Sequence, residues 1–212
     1  FTTLVPSLGV VRTEQGRSFV VADIPGIIEG AAEGAGLGIR FLKHLARNRV
    51  LLHIVDMAPW DDITPEEAAV IAVKELGKFS TTLSAQPRWL VLNKIDMVDE
   101  DELEARCQAV VDALDWKGPV FRISALTAQG TSELTGALQD FLDKRTAAII
   151  ANPDLQVEED EMRARVDAEA REHINHLREV ARTQARANRE ALSAEDDFDD
   201  DDYDVEVEYV SE

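Results

Sequence analysis

The chain has 212 residues and a formal net charge of -20 at pH 7, with 42 Asp and Glu against 22 Lys and Arg. A hydrophobic content of 45% is ordinary for a globular protein, so one core domain with extensions is expected. The single cysteine, Cys107, excludes a disulfide-stabilised scaffold, and no apolar run is long enough to span a bilayer. These features favour a cytoplasmic location without stable membrane insertion.

Two short strands are predicted near the start, at Leu8–Val11 and Phe19–Val21, joined by a turn at Glu14-Gln15-Gly16. Asp23-Ile24-Pro25-Gly26 follows the second strand as an Asp-x-x-Gly sequence. Ligands of doubly wound sheets lie at strand ends, so Asp23 is a candidate to hold Mg²⁺ through water. Gly26 has no side chain, so its backbone N–H can approach a terminal phosphate.

Strand and helix patterns then alternate along the chain. The strands are predicted at Leu51–Val55, Trp89–Leu92 and Val120–Ile123, and the helices at about Leu37–Arg47, Pro65–Thr82, Glu102–Ala113 and Thr131–Ala147. This alternation predicts an α/β fold with a mainly parallel sheet flanked by helices on both faces.

The most informative motif is Asn93-Lys94-Ile95-Asp96, which directly follows the strand at Trp89–Leu92. Asp96 can accept hydrogen bonds from the ring N–H and the exocyclic amino group of guanine, a donor pair that adenine lacks. Asn93 can tie the loop to its neighbours, and the aliphatic stem of Lys94 can lie across the base. Taken alone, the motif is equally compatible with an Asn-Lys turn after a buried strand.

A third segment, Ser124-Ala125-Leu126, follows the strand at Val120–Ile123. Its small residues allow backbone amides to approach the carbonyl oxygen of guanine. Three motifs that are weak singly, placed in this order at three strand ends, together indicate a guanine-nucleotide site.

In these motifs the chain resembles the Obg/CgtA family of translation-factor-like P-loop GTPases. Phe1–Gly9 is similar to the first switch of that family and Asp23–Ala31 to the second, and the similarity continues through Glu33–Gly38, Phe41–His44 and Leu51–Asp56 to about Leu142. The resemblance implies GTP and GDP as ligands, Mg²⁺ as cofactor, and hydrolysis of GTP. It also implies a role in large ribosomal subunit assembly and in growth and stress control, with rRNA and ribosomal proteins as partners.

The resemblance further implies which residues contact the nucleotide. They are Phe1, Thr2, Thr3, Leu4, Val5, Asp23, Ile24, Pro25, Gly26, Asn93, Lys94, Ile95, Asp96, Ser124, Ala125 and Leu126. Thr3, matched to the second threonine of the first switch, is the expected direct Mg²⁺ ligand, and Asp23 supports the ion through water. If no Asp-x-x-Gly followed, Thr2-Thr3 would be interpreted as the ordinary β-branched start of a strand.

Ile27 occupies the position where other GTPases often carry a water-orienting Gln. An isoleucine cannot orient water, so no catalytic residue can be assigned from the sequence. The polar group must come from a switch residue, a monovalent cation or a partner, and slow intrinsic hydrolysis is expected.

One family motif is absent, because the 212 residues contain no G-x-x-x-x-G-K-[ST]. That loop supplies backbone amides and a lysine to the phosphates and a hydroxyl to Mg²⁺. The chain therefore resembles a C-terminal portion that lacks the N-terminal Obg domain, the first strand and the phosphate loop. We expect poor nucleotide binding by this chain alone, and a gap or exposed edge between the strands that end near Ala22 and Asp56.

Three segments are predicted: a partial guanine-nucleotide domain at 1–147, a helical extension at 148–193 and an acidic tail at 194–212. In the extension, a spacing of three or four residues predicts an amphipathic helix; its apolar positions are Met162, Val166, Ala170, Ile174, Leu177 and Val180. This helix either docks on the nucleotide domain or meets a partner, and its arginines alternate with Glu, as in a solvated face.

The tail has eleven acidic residues in Glu195–Glu212 and no Lys or Arg, which predicts disorder.

Two alternatives stay open. The chain can be a non-catalytic interaction fragment that binds a ribosomal partner through its helix and acidic tail. It can also be a GTPase of the developmentally regulated GTP-binding type, although Phe41-Leu42-Lys43-His44 and the acidic tail favour Obg. A monomer is expected in either case.

Overall fold

The structure is a computed structural model that describes residues 7–13, 16–23, 45, 47–60 and 62–195. Most of the helix expected at about Leu37–Arg47 and nearly all of the acidic tail lie outside the described residues. The chain divides into two compact units, Phe1–Ile174 and Asn175–Glu212.

The described strands form two separate sheets. β1 (Ser7–Arg12) and β2 (Ser18–Asp23) pair antiparallel, and Gly16 in the turn between them has a φ of 71°, which glycine adopts without strain. β3 (Leu51–Asp56), β4 (Arg88–Asn93) and β5 (Val120–Arg122) form a parallel sheet in the order β3-β4-β5. None of these five described strands pairs with both β2 and β3.

Five α-helices have described bounds, besides one short 3₁₀ helix. They are α1 (Pro65–Phe79), α2 (Thr81–Ser84), α3 (Glu100–Ala113), α4 (Thr131–Ala151) and α5 (Asp154–Glu195). α1 starts with a capping box, in which the Thr64 hydroxyl accepts from Glu67 N–H at 3.3 Å and the Glu67 carboxylate accepts from Thr64 N–H at 3.1 Å. It ends before the predicted position because Ser80 is extended, with a φ of -161°, and caps α2.

Helices cover both faces of the parallel sheet, and the alternation of side chains along β4 shows how. Leu90 and Leu92 pack on one face with Cys107 and Val110 of α3, while Val91 packs on the other face with residues of α4. β4 is thus buried on both faces, which explains why its sequence is a continuous apolar run. The predicted α/β fold with a parallel sheet between helices is confirmed.

α5 packs on the body of the first unit through Val166 and Ala170, which are both fully buried. They belong to a cluster formed with Leu51, Leu76 and Leu83. This part of α5 therefore docks on the predicted nucleotide domain. Further along, in the second unit, Val180 is 45% exposed, and the side chains of Ile174 and Leu177 lie outside the described residues.

The described residues contain no helix that is both long enough and apolar enough to cross a membrane.

Candidate nucleotide-binding site

The carboxyl ends of β3, β4 and β5 meet at one edge of the parallel sheet. Asp56 ends β3, Asn93 ends β4, and Ser124 follows β5. Parallel sheets bind ligands at this edge, so the structure brings two of the predicted motifs, 93–96 and 124–126, to the place where a ligand is expected.

Asn93 joins these two segments directly. Its Oδ1 accepts a hydrogen bond of 3.0 Å from Ala125 N–H. A backbone hydrogen bond of 3.3 Å from Ile95 N–H to the Ile123 carbonyl runs beside it. The loop after β4 and the loop after β5 therefore form one connected unit.

Lys94 has a left-handed backbone, with a φ of 66° and a ψ of 33°, which is uncommon for a residue other than glycine. Its ammonium lies 2.5 Å from Asp56 Oδ2, and Asp56 Oδ1 accepts from Ala58 N–H at 3.0 Å. The ion pair directs the Lys94 stem along the edge of the sheet. This role of Asp56 was not predicted from the sequence, although its position at the end of β3 is a signal that could have revealed it.

Asp96 lies in a short 3₁₀ helix, Ile95–Met97, that is anchored by the buried side chain of Ile95. The Asp96 side chain is exposed, and it takes part in no hydrogen bond or ion pair with the residues that the structure describes. Its two oxygens can therefore accept hydrogen bonds from a ligand.

Of the backbone N–H groups of Ser124, Ala125 and Leu126 in the loop after β5, one has no hydrogen-bond acceptor among the described residues. Ser124 N–H donates to the Gln129 carbonyl at 3.0 Å, and Ala125 N–H is taken by Asn93. Within the described parts of the chain, Leu126 N–H has no acceptor, and its side chain is 88% exposed. Among these amides, Leu126 N–H is therefore the one free to meet a carbonyl oxygen of a bound base.

Asp23 lies at the end of β2, exposed and opposite Ser7 in the hairpin. Its carboxylate is a suitable water-mediated ligand for Mg²⁺, which prefers oxygen and keeps several waters. The described ranges contain no cluster of three or more His, Cys, Asp or Glu that could hold a metal ion.

The remaining predicted site residues lie outside the described residues. They are Phe1, Thr2, Thr3, Leu4, Val5, Ile24, Pro25 and Gly26. The described part of the candidate site therefore consists of the loops after β4 and β5, with Asp23 as the one described residue of the predicted phosphate and metal site.

Residues 1–94 match the family model described as 50S ribosome-binding GTPase. The match ends within the Asn93–Asp96 motif and covers less than half of the 212 residues. Over these residues the chain is similar to that family of GTPases.

Proposed function

We propose that the chain is the base-reading portion of an Obg-type GTPase, a Mg²⁺-dependent switch in large ribosomal subunit assembly and in growth and stress control. The observation that carries the proposal is the 3.0 Å hydrogen bond between Ala125 N–H and Asn93 Oδ1, which joins two loops suited to one base. The match of residues 1–94 to a ribosome-binding GTPase model supports the same reading.

Guanine recognition would use three groups at the edge of the sheet. The exposed Asp96 carboxylate accepts from the ring N–H and the amino group, while Leu126 N–H donates to the carbonyl oxygen. The Lys94 stem, directed by Asp56, lies against the base. Adenine has an acceptor at N1, an amino donor in place of the carbonyl oxygen, and only a C–H in place of the guanine amino group, so this arrangement favours guanine.

Hydrolysis in the complete protein would depend on positioning and charge stabilisation. Bound Mg²⁺ would neutralise charge on the phosphates. Thr3 would ligate the ion, Asp23 would hold one of its waters, and Gly26 N–H would contact the terminal phosphate. Loss of that phosphate removes these contacts, so both switches relax.

This chain alone is expected to bind nucleotide weakly, since its 212 residues contain no phosphate-binding loop of the G-x-x-x-x-G-K-[ST] type. The test is a titration of a fluorescent GDP analogue, with Mg²⁺, into this chain and into a version extended upstream through such a loop. We expect tight binding by the extended version only. Equally tight binding by the short chain would contradict the role given to the missing loop, and no binding by either would contradict the guanine-nucleotide site.

A change of base preference in the extended version tests the role of Asp96 in guanine recognition. Asp96→Asn turns an acceptor into a donor, so it should lose affinity for GDP by about 100-fold and gain affinity for xanthosine diphosphate, which has a carbonyl in place of the amino group. Asp101→Ala removes the same charge from an exposed position on α3 and should change neither affinity. Unchanged base preference in Asp96→Asn would remove Asp96 from the site.

The alternative function, an interaction fragment, is favoured by one observation. Val180 continues the apolar spacing of Val166 and Ala170, yet it is 45% exposed. Co-sedimentation with large ribosomal subunits, with and without GDP, separates the two proposals. Ribosome binding that does not change with GDP but is lost in Val180→Asp supports the interaction fragment. Ribosome binding that requires GDP supports the GTPase switch.

A further inference from the structure

A cavity of about 320 Å³ lies at the amino ends of the strands, the opposite edge of the sheet from Asn93. Asn48 and Arg49 border it just before β3, and Gln86 and Pro87 just before β4. The other walls come from the second half of α4 and the beginning of α5. The volume lies in the range of small-molecule sites.

The charge of the cavity wall is opposite to that of the whole chain. Four arginines line it, Arg49, Arg145, Arg163 and Arg165, against two glutamates, in a protein with a net charge of -20. Guanidinium groups match the oxygens of phosphates through paired N–H donors. The excess of two positive charges suits a dianion.

A buried carboxylate fixes two of these arginines. Glu159 is 6% exposed, and it accepts from Arg145 Nε at 2.8 Å and from Arg163 Nη2 at 3.4 Å. Arg163 also donates to Asp160 at 2.8 Å. The cavity wall is thus held in shape before any ligand arrives.

The other two arginines, Arg49 and Arg165, have no ion-pair partner among the described residues. Arg49 donates to the Thr146 hydroxyl at 3.0 Å, and the part of the chain that the structure describes places no carboxylate in ion-pair range of Arg49 or Arg165. Both side chains are exposed at the mouth of the cavity and can approach an anion without first breaking an ion pair.

Gln86 supplies an independent sign of a ligand. The residue is only 5% exposed, and the described residues place no hydrogen-bond donor at its buried Oε1. Its amide nitrogen has only a weak contact of 3.7 Å with the sulfur of Met162. A buried acceptor that is left unpaired destabilises a fold. Since Gln86 lines the cavity, a ligand donor that met this oxygen would remove that penalty.

We infer that this cavity binds a small organic phosphate of about mononucleotide size. The phosphate pairs with Arg49 and Arg165, an N–H donor of the ligand meets Gln86 Oε1, and the apolar body packs against Phe141 and Met162. RNA would also offer phosphates to the arginines, but each internal phosphodiester carries a single charge, whereas Arg49 and Arg165 together present two positive charges to one phosphate. The site lies apart from Asp96 and does not depend on the proposed GTPase function.

The test is calorimetric titration of the 212-residue chain with AMP, which has a phosphate dianion and an amino donor but lacks the donor pair that Asp96 would read. We expect saturable binding of one AMP, with inorganic phosphate and adenosine each binding at least about tenfold more weakly. Arg49→Ala and Arg165→Ala should each weaken AMP binding about tenfold. Arg171→Ala removes the same charge from an exposed position on α5 and should have no effect.

Gln86→Leu separates binding from folding. It removes the unpaired acceptor, so thermal stability should equal or exceed that of the wild type while AMP affinity falls about tenfold. The inference is overturned if AMP does not bind at about 10 mM, or if Asp96→Ala abolishes the binding. Binding that persists in the Arg49→Ala/Arg165→Ala double variant, or tighter binding of a short RNA through the same arginines, overturns it equally.

Discussion

At the scale of single residues, backbone conformation positions the loops of the candidate nucleotide site. Lys94 is left-handed at the end of β4, and Gly130 is left-handed, with a φ of 71°, just before α4. A Cβ on Gly130 would lie 2.2 Å from the Arg122 carbonyl oxygen, so only glycine allows the chain to pass β5 this closely. The Ser124–Leu126 loop lies between Lys94 and Gly130 along the chain.

Gly130→Ala should therefore destabilise the protein by about 2 kcal/mol or more, through strain and steric overlap. Gly77→Ala, within helix α1, is the matched control. Its new methyl group would lie 3.7 Å from the nearest atom, Ser84 Oγ, which is an ordinary contact distance. It should stabilise by about 0.5–1 kcal/mol. Urea denaturation followed by circular dichroism measures both, and equal effects of the two variants would contradict the role of Gly130.

At the scale of elements, a carboxylate attaches α5 to the corner between α1 and α2. Glu169 accepts from the Ser80 hydroxyl at 2.6 Å and from Thr82 N–H at 3.2 Å, while the Ser80 hydroxyl also accepts from Leu83 N–H at 2.9 Å. Burial raises the pKa of Glu169, but these hydrogen bonds outweigh it and leave the pKa below its ordinary value. The cap of α2 and the docking of α5 are thus coupled.

A carboxyl with a lowered pKa in the folded state stabilises the fold above its unfolded pKa, and this stabilisation is lost as the pH falls through the folded value. Glu169→Gln should cost about 1–2 kcal/mol at pH 7 and much less under acidic conditions. Glu172→Gln, at an exposed position of the same helix, should be neutral. Denaturation at a series of pH values checks this, and a cost that does not change with pH would show that the charge of Glu169 is irrelevant.

At the scale of the whole molecule, a half-buried histidine, His53, should contribute to the response of stability to mild acid. Burial, with a smaller contribution from Arg88, lowers the pKa of His53 on β3 to about 4. The unfolded chain takes up this proton near the ordinary pKa of about 6.5, whereas the folded chain does so only near 4. Stability should therefore fall as the pH is lowered through this window.

The size of this loss should reach about 2–3 kcal/mol between pH 6.5 and pH 4, an upper bound for a single group. His53→Gln stays neutral at every pH and should flatten the profile in this window. His176→Gln, at an exposed position, should leave the profile as it is in the wild type. Thermal melts at fixed ionic strength measure the three profiles, and parallel profiles for wild type and His53→Gln would refute the assignment.

Local sequence determined much of the fold. The apolar run Trp89–Leu92 predicted the buried strand β4, and Thr64-Pro65-Glu66-Glu67 contains the capping box that starts α1. The Asn93–Asp96 motif also pointed to a specific base, because donor and acceptor chemistry is a property of side chains. These features depend on residues within a few positions of one another, so the sequence by itself was sufficient.

Only the tertiary structure decided which distant residues meet. Asp56 pairs with Lys94, Asn93 meets Ala125, and Glu169 meets Ser80. Gln86 lines an arginine-rich cavity, with no donor for its Oε1 among the described residues. Each of these contacts depends on strand order, on the parallel register and on where α5 packs. No local pattern encodes those distances, because the crossover connections that set them are dozens of residues long and are fixed by the packing of the whole core.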